Sequence, residues 1–426
     1  MSPAEGILTN FFAIVGWIWW IVLPIFTFGF FWQAWMSYIR FCFITSLTWK
    51  TLEIKVSRNI LQTPKAMEQI FAAAHAPYSY GFRKKQIYWD GEVELWCSFE
   101  IVSIGNKSTF FVKLPDKMRN LIESAVYAQY PDAEISEVED HLADLPELLP
   151  NEKYDLFGYE FLLKKSSAYP IRTYPAFEDP VEERRIDPIA ALFEVMSRLK
   201  PEEKLLFQII IRSSGDELEK EAEKVLNKIM GREEKKKERG KLLPSPIFGV
   251  SFGEALRSPF EHPTLEVKEQ KKEREGPTVN SFLLLTPGQR ATIEAIEMKM
   301  SKLSFETTVR AIYIDKRDSF SKDNVVALMG AIRQFSTEDL NAFRPDKLLS
   351  TYVFKGMFKK WRVEWRKHNI YYRYRKLMTN AQKPLFNIEE LATIYHFPMA
   401  TVIAPRLERI ESKKGGPPSE LPMLDD

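Results

Sequence analysis

The chain has 426 residues, 28% of them charged, and a formal net charge of +2. This length predicts two or three domains with a sizeable core, and the near-neutral balance excludes binding to nucleic acid or membranes through a global charge excess. The two cysteines, Cys42 and Cys97, are too few for a disulfide scaffold and form no ligand pattern with histidine. Any charged interface must therefore come from a local cluster.

The N-terminal segment, residues 1–50, is dominated by apolar side chains. No charged residue occurs between Glu5 and Arg40, and a membrane-spanning helix needs only about 20 apolar residues. We therefore predict one transmembrane helix over residues 10–36. Basic residues such as Arg40 and Lys50 follow it, so the N-terminus is expected outside and the bulk of the chain in the cytoplasm, at the inner (plasma) membrane. A cleaved signal peptide is the alternative, but no basic residue precedes the apolar run.

Residues 51–150 follow the order strand, helix, strand, strand, helix, strand. Leu52, Ile54 and Val56 alternate with polar residues, which is the period of a β-strand. Gly105-Asn106 lies between two apolar runs and predicts a hairpin turn. This βαββαβ order indicates a ferredoxin-like unit.

Residues 151–346 repeat this pattern with an insertion. Residues 231–285 are rich in Lys, Glu, Pro and Gly, which predicts a mobile segment. Thr286 and Gln289 then form a predicted capping box. The predicted fold class is α+β: one N-terminal transmembrane helix followed by two ferredoxin-like units, the second with a helical and disordered insertion. Residues 347–426 are expected to form a basic aromatic helix, a short helix and a flexible tail.

The motifs of common catalytic and cofactor sites are missing from the sequence. The segment Gly105-Asn106-Lys107-Ser108 lacks the spacing of a phosphate-binding loop and fits a hairpin turn. The five histidines are scattered without metal-ligand spacing. We therefore expect no catalytic, cofactor-binding or metal-binding residues, no cofactor, and a protein that is not an enzyme. An enzyme whose site leaves no motif is the competing hypothesis.

Cations and aromatic rings concentrate between Lys347 and Lys376, where Glu364 is the single acid. The larger rings form one stripe at helical spacing: Phe358, Trp361, Trp365 and Tyr372. Three interpretations stay open: binding of nucleic acid by phosphate contacts and base stacking, contact of the stripe with an anionic membrane, or docking of the helix onto the protein by that stripe. The residues predicted to contact nucleic acid or anionic lipid are Lys355, Lys359, Lys360, Arg362, Arg366, Lys367, Arg373, Arg375 and Lys376.

Segments near the C-terminus carry a family resemblance. They are Gln334–Pro345, Phe386–Pro398 with its Leu-Ala-Thr-Ile-Tyr-His-Phe-Pro run, Ala404–Arg409 and Lys413–Pro418. Together they resemble the N-terminal, pre-ATPase region of the coupling-type ATPases of bacterial type IV secretion and conjugative transfer. In that family a similar segment precedes the motor domain, and a membrane helix often precedes the region.

The resemblance implies a membrane-anchored, non-catalytic component of a type IV secretion or conjugation-like translocation system. Because the chain ends at Asp426, where the motor domain would begin, no nucleotide-binding residue is carried over. The chain would then be an adaptor or scaffold for a separately encoded motor ATPase, or a fragment of a split gene. The implied partners are the lipid bilayer, the motor ATPase or other secretion subunits in an oligomeric complex, and nucleic acid. The alternative is a membrane-tethered cytoplasmic scaffold or assembly protein unrelated to DNA transfer.

Overall fold

The computed structural model describes residues 3–57, 62–77, 82–143, 145–178, 186–230, 285–352, 358–399 and 409–410. In its first helix, side chains are described from residue 26 onward and at residues 16, 20, 23 and 24. The predicted insertion over residues 231–285, apart from Leu285, and the predicted tail after Ile410 lie outside the described residues. The chain divides into two compact units, and residues 3–47 and 82–93 belong to the first.

The helices and strands take the following bounds. The helices are α1 (Pro3–Ser46), α2 (Lys65–Ala74), α3 (Lys84–Tyr88), α4 (Arg119–Gln129), α5 (Ala190–Ser197), α6 (Glu217–Ile229), α7 (Pro287–Met300), α8 (Lys322–Arg333), α9 (Lys359–Arg375) and α10 (Ile388–Ile394). The strands are β1 (Trp49–Ser57), β2 (Trp96–Ile104), β3 (Lys107–Pro115), β4 (Glu134–Val138), β5 (Tyr154–Leu163), β6 (Lys204–Ser213), β7 (Ser304–Lys316), β8 (Phe343–Pro345), β9 (Leu385–Asn387) and β10 (Arg409–Ile410).

The first unit contains α1, which runs for 44 residues with Pro24 inside it, and the short helix α3. Within the described residues, no helix combines the length and the hydropathy that a membrane span requires. The predicted transmembrane helix over residues 10–36 is therefore not supported by the structure. Much of its first half, including residues 10–15, lies outside the described side chains.

The second unit is built on one sheet. In the described part of the chain its strands lie in the order β4-β1-β3-β2-β6-β7-β5-β8, and neighbours along this order are antiparallel. The short strand β9 pairs with β7, and β10 pairs in parallel with the end of β1. The structure thus confirms a mixed α/β class with an antiparallel sheet.

The predicted units over residues 51–150 and 151–346 share this sheet. They join where β2 pairs with β6, from Trp96 opposite Arg212 to Ile104 opposite Lys204. When the strands of each half are numbered from its own first strand, both halves have the order 4-1-3-2. The Gly105-Asn106 turn that joins β2 to β3 is confirmed, and Gly105 has a φ of +60°, which glycine adopts without strain.

The two faces of the sheet are covered by different elements. Because side chains alternate along a strand, Leu205, Phe207 and Ile209 of β6 point to one face and Leu206 to the other. Buried residues of α2, α4, α5, α8 and α10 pack on the first face. Buried residues of α9 and of the segment 142–149 pack on the second.

Candidate functional site

A row of four polar side chains crosses the middle of the sheet on the face that α9 covers. Its members lie on β2, β6, β7 and β5, and they are Glu100, Gln208, Arg310 and Glu160. The register sets each directly opposite its neighbour, which places all four on one face. All four side chains are fully buried. We call this set the polar row.

Each member of the polar row has a partner. The Arg310 guanidinium donates to the Glu160 carboxylate at 2.7 Å and to the Gln208 carbonyl oxygen at 2.7 Å. The Gln208 amide donates to the Glu100 carboxylate at 2.9 Å. Burial acts to raise the pKa of Glu100, and the positive charge of the neighbouring Lys113 acts to lower it. Overall, the pKa of Glu100 lies below its ordinary value. The row is therefore a connected network of charges, which is the form in which buried charges are tolerated.

The polar row also holds α9. The Tyr374 hydroxyl donates to the Glu100 carboxylate at 2.8 Å. Burial, and then the charge of Glu100, raises the pKa of Tyr374 well above its ordinary value, so this hydroxyl keeps its proton. Beside it, Gly158 leaves room for Ile370, since a Cβ at Gly158 would lie 2.7 Å from the Ile370 Cδ1 atom. Helix α9 therefore docks through its polar and apolar contacts with the sheet.

His141 lies beside the Glu100 end of the polar row. Its Nε2 atom is 3.3 Å from the Glu100 carboxylate and 3.2 Å from the Tyr374 hydroxyl oxygen. Burial lowers the pKa of His141 to about 4, although Glu100 acts in the opposite direction. The imidazole is consequently neutral at pH 7.

We expect this buried histidine to make the fold sensitive to acid. As the pH falls, the unfolded chain protonates His141 near its ordinary pKa of 6.5, whereas the folded chain does so only near 4. The unfolded state therefore binds more protons in this window, and the folded state loses roughly 2.5 kcal/mol between about pH 7 and pH 4.5. Urea titrations at both pH values should show that the stability of His141→Gln falls less than that of the wild type, by roughly 2.5 kcal/mol. The control His368→Gln should keep the wild-type loss, and an unchanged loss in His141→Gln would contradict the assignment.

The outer side of α9 carries the predicted aromatic stripe. The four rings are 73%, 68%, 54% and 53% exposed, in the order Phe358, Trp361, Trp365 and Tyr372. The interpretation in which this stripe docks the helix onto the protein is therefore wrong. The buried residues of the helix are Arg366, Ile370, Tyr371 and Tyr374, because this side meets the polar row. We call the four exposed rings the aromatic face.

Four of the predicted contact cations have partners within the protein. Arg366 donates to the carbonyl oxygens of Ser350 and Tyr352, both at 3.1 Å. Lys367 pairs with Asp155. Arg373 and Arg375 donate to the carbonyl oxygens of Thr379 at 2.7 Å and Pro146 at 3.2 Å, and Arg373 also lies 3.4 Å from Glu160. Their charges hold α9 in place.

The other predicted cations lie near the two ends of the aromatic face. Lys359 and Lys360 are exposed and Arg362 is half-buried at the N-terminal end of α9, and Lys376 is exposed just after its C-terminal end. Lys355 lies outside the described residues. Glu364 flanks the rings and lies 3.7 Å from Arg317. The surface is thus aromatic in its middle and cationic at its ends.

The segment that carries the family resemblance is part of the core. The Asn387 and Glu390 capping box is confirmed, with the Glu390 amide donating to the Asn387 side chain at 2.8 Å. Lys299 of α7 lies 2.8 Å from the Glu390 carboxylate, and both side chains are buried. The His396 Nε2 atom donates to the Asp187 carboxylate at 2.9 Å. These contacts fix α10 and the residues just after it to α7 and to the segment that contains Asp187.

The polar row and the Lys299–Glu390 pair are the polar sites that sequence reasoning missed. Glu100, Gln208 and Arg310 each interrupt an apolar strand at a position whose neighbours are buried, and this interruption is visible in the sequence. Within the described residues, no group of three or more His, Cys, Asp or Glu side chains is arranged to hold a metal ion. The polar row lies wholly inside the protein, so the aromatic face is the candidate site that a partner can reach.

Comparison with known proteins gives one family. A family model described as "Domain of unknown function (DUF8128)" matches residues 45–406. The match begins at the end of α1 and includes the described sheet, the polar row and α9. No curated protein matches the chain.

Proposed function

Since the chain belongs to the DUF8128 family, we propose from its own geometry that it is a membrane-attached, non-catalytic scaffold whose aromatic face binds a partner protein. The observation that carries this proposal is the aromatic face itself. Three large rings on α9 and a fourth at its N-cap, Phe358, are each more than half exposed, and the opposite side of the helix is held by buried charges. Contiguous exposed apolar surface of this kind is typical of interaction sites.

The distribution of charge on α9 favours a protein partner over a nucleic acid. A single-stranded nucleic acid needs cations beside the rings along the whole track. Here Arg366, Lys367 and Arg373 are occupied by internal partners, and the remaining described cations lie near the ends. An apolar aromatic centre with a charged rim, rich in Trp, Tyr and Arg, is instead the composition of protein-interface hot spots.

The partner we propose is the motor ATPase of a type IV secretion or conjugation-like translocation system, encoded separately. The support is the resemblance of Gln334–Pro345 and Phe386–Pro398 to the pre-ATPase region of coupling-type ATPases. Leu391, Tyr395 and Phe397 are buried, so a partner cannot reach them. The resemblance therefore concerns the packed core, and we assign the contact with the motor ATPase to the aromatic face. A scaffold for an assembly unrelated to DNA transfer is the alternative.

Attachment to the inner membrane is proposed through α1, as a single span with the N-terminus outside and the bulk of the chain in the cytoplasm. The support is the charge-free stretch between Glu5 and Arg40, followed by basic residues. Several of its described apolar side chains are more than half exposed: Trp20, Leu23, Phe26, Phe28, Phe30 and Phe31. Apolar side chains exposed in this number need a lipid or protein surface to cover them.

For the sheet, we propose that each half is a ferredoxin-like unit and that the two units are fused edge to edge through β2 and β6. The 4-1-3-2 strand order in each half supports this proposal, as does a βαββαβ element order once the additional helices α3, α6 and α7 are set aside. The fusion leaves one continuous face for α9 to cover.

The proposed function predicts which protein the aromatic face recruits. Purification of the tagged full chain from its native membranes in mild detergent should recover a P-loop ATPase. Trp361→Glu/Trp365→Glu should reduce this recovery on the order of tenfold or more, because hot-spot tryptophans contribute about 2 kcal/mol or more each. The matched control, Met298→Glu/Val326→Glu, changes two side chains that are 58% and 70% exposed on α7 and α8 and should recover the ATPase as the wild type does.

Equal recovery of the ATPase by both variants, or its absence from the wild-type sample, would overturn the assignment. Binding of single-stranded DNA and of phosphatidylglycerol vesicles is measured on the same variants. A loss confined to one of these two ligands would assign the aromatic face to that ligand instead.

A further inference from the structure

Residues 82–93, which contain α3, pack against α1 within the first unit. The Trp35 Nε1 atom lies 3.4 Å from the Tyr88 carbonyl oxygen, to which it donates. The Trp32 and Tyr88 rings are 5.9 Å apart between centroids. The connecting segment therefore lies along α1 at the end of its apolar stretch.

Gly91 fixes how closely this segment approaches α1. It has a φ of +67°, and a Cβ placed on it would lie 2.5 Å from both the carbonyl carbon and the oxygen of Ile39. A side chain at this position would meet helix backbone, which cannot move aside easily, and the positive φ already disfavours any other residue. The close contact between residues 88–91 and Trp32–Ile39 therefore depends on a glycine at position 91.

The outer surface of the segment combines cations with exposed rings. Three consecutive residues, Arg83, Lys84 and Lys85, are exposed, as is Arg40 on α1. The exposed aromatic residues of this region are Trp89 at 71%, Tyr38 at 62% and Phe82 at 37%. Asp90 is exposed as well, whereas the Glu92 carboxylate accepts from the Gln86 amide at 2.9 Å. We call residues 82–90 together with Tyr38 and Arg40 the collar.

We propose that the collar binds the headgroups of anionic phospholipids and sets the depth of α1 in the bilayer. This inference rests on the proposed membrane attachment. The charge complementarity is direct, because clustered lysine and arginine beside a membrane segment attract anionic lipids with about 1 kcal/mol per cation. Tryptophan and tyrosine prefer the same interfacial level, where one side of the ring meets hydrocarbon and the other meets water. The collar supplies both at the end of a stretch that has no charge of its own.

Lipid retention by the full chain tests this proposal. The chain is reconstituted in nanodiscs of mixed phosphatidylcholine and phosphatidylglycerol, extracted with mild detergent, and examined by native mass spectrometry for bound lipid. The wild type should keep phosphatidylglycerol in preference to phosphatidylcholine. Arg83→Gln/Lys84→Gln/Lys85→Gln should lose this preference, with retention reduced on the order of tenfold or more for three cations. Gly91→Ala should reduce it as well, although every cation is still present, because the segment is displaced from α1.

The matched control removes the same charge elsewhere. Lys220→Gln/Lys224→Gln/Lys228→Gln changes three exposed lysines of α6 and should leave lipid retention unchanged. Equal retention of the two lipids by the wild type, or full retention by the Arg83–Lys85 variant, would overturn the proposal. Alkaline carbonate extraction separates this outcome from a failure of the membrane attachment, since release of the wild-type chain into the soluble fraction would refute the anchor whatever lipid is retained.

Discussion

Glu160→Gln is expected to lower the free energy of unfolding by about 3 to 5 kcal/mol, because it leaves a buried cation without its counter-charge. Arg310 is fully buried, and Glu160 accepts two of its hydrogen bonds, at 2.7 and 3.0 Å. Glu160 also accepts from the Asn380 amide at 2.6 Å, so the turn after α9 loses an anchor at the same time. Urea titrations followed by circular dichroism measure the difference.

An exposed ion pair provides the control for the Glu160 prediction. Glu194 and Arg198 pair at 2.6 Å on α5, and their side chains are 55% and 75% exposed. Glu194→Gln should therefore cost less than about 1 kcal/mol. The double variant Glu160→Met/Arg310→Met removes both charges and should recover part of the loss. If Glu160→Gln were no more destabilising than Glu194→Gln, the polar row would not be an energetically coupled network.

Lys299→Met is expected to have an effect of similar size, about 3 to 5 kcal/mol, because it strands the buried carboxylate of Glu390. That carboxylate accepts from the Lys299 ammonium at 2.8 Å and also from the Ile171 and Asn387 amides. The loss should be concentrated where α10 meets the sheet, so hydrogen exchange of residues 385–397 should speed up with the fall in the urea midpoint.

A second substitution separates the stranded charge from the lost packing. In Lys299→Met/Glu390→Gln no charge is left unpaired, but the amide oxygen can accept from only one of the two backbone amides, so part of the stability should return. Lys164→Met is the control, since Lys164 pairs with Glu338 and both side chains are more than half exposed. Its cost should stay near or below about 1 kcal/mol. A double variant that is as unstable as Lys299→Met would show that packing, and not charge, dominates.

The sequence predicts the elements of the sheet well because their signals are local. Alternation of Leu52, Ile54 and Val56 depends only on the period of a strand, and these side chains are buried as expected. The capping boxes at Thr286 and Asn387 depend on residues three positions apart, and both form. The hairpin at Gly105 depends on one positive φ.

The docking side of α9 could not be predicted in the same way. The helix has aromatic residues all around it, and periodicity does not distinguish Trp361 and Trp365 from Tyr371 and Tyr374. The polar row determines which side of α9 docks on the sheet. Its members are about 50 to more than 200 residues apart in the chain and meet only in the sheet. Tyr374 supplies the hydroxyl that donates to Glu100.

The collar could not be predicted from the sequence, for a related reason. Residues 82–93 have no helical or strand period long enough to predict an element, and α3 is only five residues long. Its placement comes from contacts with Trp32, Trp35 and Ile39, which precede it by about fifty residues. Gly91 was the one local signal, because a glycine between two such segments often marks a close backbone approach.

Site-specific photo-crosslinking in cells is the most direct test of the central claim, that the aromatic face of α9 binds a motor protein. A photoreactive phenylalanine replaces Trp361 in one variant and Val326 of α8 in the other, both of which are exposed. We predict a crosslink from position 361 to a P-loop ATPase and none to that protein from position 326. A chain that folds and reaches the membrane, yet gives no ATPase crosslink from position 361, would contradict the account.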